Sequence, residues 1–85
     1  MKKIGHITFS EEEIKDKRSS MFIDKNEDLI TREEYVIDSD EYGLIFVKVD
    51  YKNKKEIGYF IENSDGSVER YGSFDPILRD SYERQ

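Results

Sequence analysis

The apolar positions along this chain change their spacing part-way through. In GLIFVKVDY, residues 43 to 51, Ile45, Val47, Val49 and Tyr51 recur at every second position, with Leu44 and Phe46 on the opposite side. A period of two with apolar residues on both sides predicts a central strand. EIGYFIEN, 56 to 63, repeats the pattern after a polar KNKK tip, and NSDGS then supplies a tight turn into SVERYG. Strands over 34–38, 43–51, 56–62 and 67–72 are therefore expected to form an antiparallel meander.

The ends of the chain carry different signals. Ile4, Ile7 and Phe9 alternate imperfectly with polar residues and suit one strand over Lys2 to Phe9. Ser10 followed by Glu13 spells a capping box, predicting a short helix from Glu11 to Arg18 or Ser20. Asp75 and Pro76 stand as cap and first residue of a final helix reaching Glu83. The expected fold class is α+β, an antiparallel β-meander of four to five strands with a short N-terminal and a short C-terminal helix. No repeat or linker divides residues 1–85, which predicts one domain.

Composition narrows the chemistry. The chain is 35% hydrophobic and 40% charged, close to the border of disorder, but six tyrosines, five phenylalanines and several β-branched runs supply apolar area for a core. With no cysteine, disulfides, thiolate metal sites and a cysteine nucleophile are excluded. MKKIGHITFSEEEI lacks the apolar run of a signal peptide and no window approaches a membrane span, so a cytoplasmic protein is expected. The net charge of −6 is concentrated in residues 21 to 42. There Lys25 and Arg32 stand against Asp24, Glu27, Asp28, Glu33, Glu34, Asp38, Asp40 and Glu41. Such a field repels nucleic acid and attracts basic surfaces; a solvated face kept for solubility is the plain alternative.

DKNEDLITREEY, residues 24 to 35, places Asp24, Asn26 and Asp28 at positions 1, 3 and 5 of a twelve-residue calcium loop. Residues 9 to 37 thus resemble a degenerate EF-hand, with FSEEEIKDKRSSMFI as entering helix. The pattern departs at Leu29, where the loop needs glycine, and at Tyr35, where it needs a bidentate carboxylate. An acidic loop leading into a strand explains the same residues, and no metal ligands are assigned.

Catalytic chemistry finds little footing. His6 is the single histidine, with no serine or cysteine at a suggestive spacing, and Glu33 and Glu34 are adjacent, so a strand would point them to opposite faces. No phosphate loop or dinucleotide fingerprint is present. A non-enzymatic protein without cofactors is expected. Lys52, Lys54 and Lys55, flanked by Tyr51 and Tyr59, could touch nucleic acid, but lysines at a hairpin tip also guard a sheet edge.

Small size, acidity and the lack of catalytic groups make the chain similar, at the level of class, to phage-encoded inhibitors of bacterial defence nucleases, anti-CRISPR proteins among them. The resemblance carries no motif, so it transfers no residues. It implies an inhibitor that mimics nucleic acid and occupies a basic protein, a nuclease or its nucleic-acid-binding channel. Carboxylates held on a rigid scaffold can fill sites built for phosphates. The contacts would come from Asp24, Glu27, Asp28, Glu33, Glu34, Asp38, Asp40 and Glu41, with Tyr35 and Tyr42 as aromatic anchors. FVKVDYKN beside an acidic loop also resembles one strand of the immunity proteins for ribonuclease bacteriocins. A structural or regulatory phage protein is a third reading.

Overall fold

The computed structural model describes residues 1–72; the expected helix at 76–83 lies outside them. Strands β1 (Lys2–Ile4) and β2 (Ile7–Phe9) form a hairpin. A single 3-10 turn, Glu11–Glu13, then leads into β3 (Ile14–Ile23), β4 (Leu29–Ser39), β5 (Gly43–Lys52), β6 (Lys55–Glu62) and β7 (Val68–Gly72). These five strands pair antiparallel in chain order, a meander with β3 and β7 at its edges. The described residues are thus all-β rather than α+β, and among them no helix is long and apolar enough to cross a membrane.

The helix expected after Ser10 is the main correction. The capping box does form: the Ser10 N–H donates to Glu13 Oε1 at 2.9 Å. It caps one turn only. Ile14 is the one apolar residue between Glu11 and Ser20, so a helix here would have no stripe to bury, and short helices depend on such burial. As a strand the segment instead pairs along nearly the whole of β4, from Ile14 opposite Ile37 to Ile23 opposite Leu29. Lys17 lies over the Tyr35 ring, 5.5 Å from its centroid.

The single strand expected over Lys2 to Phe9 is also divided. Ile4 is at an even position while Ile7 and Phe9 are at odd ones, a parity switch that a turn at Gly5 and His6 resolves by pairing Ile4 with Ile7. Gly5 has φ +59°, and a Cβ there would come within 2.9 Å of Ile61 and the Tyr59 ring. Glycine is required on both counts.

This hairpin lies across one face of the sheet and closes the core. Ile4, Ile7 and Phe9 pack with Tyr35, Ile37, Ile45, Val47, Val49 and Ile61, all essentially excluded from solvent. Each buried aliphatic side chain of this kind contributes about 1.5–3 kcal/mol. On the opposite face, Arg32 and Asp50 form a buried, two-pronged ion pair, with Nε to Oδ1 at 2.5 Å and Nη2 to Oδ2 at 2.7 Å.

Candidate interaction surface

The acidic residues of the 21–42 segment do not form one patch. Asp24, Glu27 and Asp28 sit in the β3–β4 turn, whereas Asp38, Asp40, Glu41 and Tyr42 lie at the far end of β4 and in the β4–β5 turn. The length of β4 separates them, roughly 30 Å at strand rise. Glu33 and Glu34 fall between, on opposite faces. Glu33 accepts from the Tyr35 hydroxyl at 2.7 Å and lies 3.7 Å from Lys2; Glu34 lies 3.7 Å from Lys48. Tyr35 is only 2% exposed and belongs to the core, so it cannot serve as a surface anchor. Tyr42 is half-buried, its hydroxyl 3.4 Å from the His6 carbonyl oxygen, to which it donates.

The β3–β4 turn is closed by its own carboxylate. Asp24 Oδ1 accepts the N–H groups of Asn26 and Asp28, each at 2.9 Å, and Asp28 Oδ2 receives Lys52 Nζ at 2.7 Å. The flanking segments are strands, so the helix–loop–helix frame of an EF-hand is not what residues 9 to 37 build. Among the described residues no three histidine, aspartate or glutamate side chains are grouped to hold a metal ion.

The other end of the sheet differs. Glu13 hydrogen-bonds Ser10 and reaches Ser39, which holds its carboxyl below the usual glutamate range. Ser39 Oγ in turn accepts the N–H groups of Glu41, at 3.1 Å, and Tyr42, at 3.3 Å. Ser64 Oγ, from the β6–β7 turn, donates to the Tyr42 carbonyl at 3.3 Å. The 3-10 turn and two strand-connecting turns are thereby stitched into one rim. It exposes Glu11, Glu12, Asp38, Asp40, Glu41, Glu62 and Asp65, and Lys15 follows at the start of β3. Ser67 hydroxyl and backbone donors lower the Asp65 pKa, keeping it charged.

Four members of this rim were not singled out in the sequence: Glu11, Glu12, Glu62 and Asp65. Glu11 and Glu12 fall in the stretch whose capping box predicts a helix, and Glu62 and Asp65 lie outside the acidic 21–42 segment. Meander topology is the signal that gathers them, because alternate turns of an up-and-down sheet share an end.

His6 stands in the β1–β2 turn. Its Nδ1 lies 2.5 Å from Glu69 Oε1, and Glu69 Oε2 accepts from the Tyr59 hydroxyl at 2.8 Å. These contacts fasten the hairpin to β6 and β7. Lys54 and Asn53 form the β5–β6 tip, both at positive φ. Set against protein-family models, curated proteins and solved structures, the chain finds no match.

Proposed function

We propose that this protein is a non-enzymatic, cytoplasmic inhibitor that presents a rigid acidic rim to a basic, nucleic-acid-handling protein. The supporting observation is the convergence of carboxylates from three separate segments, Glu11–Glu12, Asp38–Glu41 and Glu62–Asp65, on one end of a hydrogen-bonded sheet. The Ser39 and Ser64 contacts fix the backbone of the turn that carries Asp40 and Glu41, so binding there orders side chains rather than the chain itself. Exposed carboxylates suit arginine and lysine side chains that otherwise grip phosphates. The contacts lie at one end of the described sheet, with Asp38, Asp40 and Glu41 among them.

The test is a pull-down from nuclease-treated bacterial lysate, eluted by a salt gradient. The wild-type chain and a variant with Asp38, Asp40, Glu41, Glu11 and Glu12 replaced by their amides serve as baits. One basic nucleic-acid enzyme held by the wild type and released at moderate salt, but not held by the variant, is the expected result. Capture by both baits alike, or by neither, contradicts the proposal. Should the captured enzyme be a toxin encoded beside this gene, the same surface would belong to an immunity protein.

A further inference from the structure

Three large apolar side chains are both exposed and adjacent. Met21 is 58%, Ile23 48% and Leu29 53% exposed. Leu29 is directly opposite Ile23, and Met21 is two residues back along the same side of β3. β3 is an edge of the five-stranded sheet among the described residues. The Asp24 N–H donates to the Asp28 carbonyl at 3.0 Å, which sets the ladder's alternation. It turns the backbone groups of Ile23, Met21 and Ser19 outward, away from β4.

The two halves of this edge are built differently. The first half has a bulge between Ile14 and Asp16 and carries Lys15, Lys17 and Arg18, devices that keep foreign strands from pairing. From Ser19 to Ile23 there is no charge at all, and the exposed apolar groups begin. An unguarded edge next to an apolar patch is what strand addition uses.

We propose that residues Ser19–Ile23 form the interface of a symmetric dimer, in which β3 pairs antiparallel with β3 of a second copy about a two-fold axis at Met21. Charge and size select this register. With Met21 opposite Met21, Ser19 faces the partner's Ile23, and Arg18 faces the partner's Asp24, so uncharged residues meet each other and a cation meets an anion at each end. Centring on Ser19 instead would set Lys17 against Met21 and Lys15 against Ile23. A two-fold axis perpendicular to the sheet extends the five strands of each copy into one continuous sheet. It directs the two acidic rims to opposite extremities and leaves both open.

The absence of native cysteine permits a direct test. In this register the two Met21 Cα atoms are about 5.5 Å apart, within the disulfide range, while the two Ser19 positions are several residues out of line. Light scattering on the full chain is expected to give twice the monomer mass at high protein concentration, falling to the monomer mass on dilution. Met21→Cys should oxidise to a covalent dimer far faster than Ser19→Cys. Met21→Lys, at a site 58% exposed, should give a monomer at every concentration that melts like the wild-type chain diluted to its monomeric range. The proposal is overturned by monomer mass at every concentration, by a dimer that survives Met21→Lys, or by equal cross-linking at the two cysteine positions.

Discussion

The Arg32–Asp50 pair is the residue-scale feature least like its sequence context. Arg32 lies in the most acidic stretch of the chain, yet it is 1% exposed, doubly bonded to Asp50 and stacked 5.0 Å from the Phe22 ring centre. Removing one partner leaves the other charge buried. Asp50→Ala is expected to cost about 3–5 kcal/mol in urea denaturation, against a much smaller loss when both residues are replaced by well-packed apolar ones. A loss from Asp50→Ala no larger than that of a surface substitution would show the pair to be solvated. Tyr51 gives a second residue-scale expectation. Burial, reinforced by Glu33 and Glu56, pushes its pKa up to about 12, and burial together with the Glu33 hydrogen bond raises that of Tyr35 further. A folded-state pKa above the unfolded value of about 10 stabilises the fold fully below that pH, and the stabilisation is lost as pH rises through the folded value. Alkaline absorbance titration should therefore show a late tyrosine step near pH 12 that disappears in Tyr51→Phe. Ionisation of every tyrosine at the ordinary value would contradict it.

Among the elements, the β5–β6 tip offers the cleanest test of local geometry. Asn53 and Lys54, at φ 54° and 66°, form a two-residue connection between paired Lys52 and Lys55. Both positions need left-handed backbone, which Asn tolerates and Lys does not. Lys54→Gly should stabilise the protein by about 1 kcal/mol, read from the denaturation midpoint; destabilisation would mean that the Lys54 side chain makes a contact worth more than the strain. The strands around this tip were the legible part of the sequence. Their period of two and their turn residues locate β5, β6 and β7 to within a residue. The stretch Glu11 to Ile23 was not legible, because the capping box is a local signal that is satisfied by one 3-10 turn. What makes Ile14–Ile23 a strand is the long-range ladder with β4, which no local pattern displays. The hairpin at Gly5 was readable in principle from the shift in parity between Ile4 and Ile7. The candidate surface was legible only in its Asp38–Glu41 portion. Its remaining members come together through meander topology, and charge counted along the chain cannot show which turns share an end.

Among the described residues acidity is directional: one end of the sheet is lined with carboxylates, while the other mixes Asp24, Glu27 and Asp28 with Lys25, Lys52, Lys54 and Lys55. Association driven by such a rim should slow steeply as salt rises, because exposed charges are screened within about 10 Å at 0.1 M ionic strength. Amide replacements at Asp24, Glu27 and Asp28 should leave partner binding unchanged, whereas the same replacements at Asp38, Asp40 and Glu41 should weaken it. Competition decides whether the rim takes the place of phosphates. With the captured basic protein in hand, its binding to a fluorescently labelled nucleic acid is measured by anisotropy as this protein is added. Mutually exclusive binding, with full displacement of the nucleic acid by the wild-type chain and little by the acidic-rim variant, is the expected result. A ternary complex in which nucleic acid stays bound while this protein also binds would contradict the claim that the rim takes the place of phosphates.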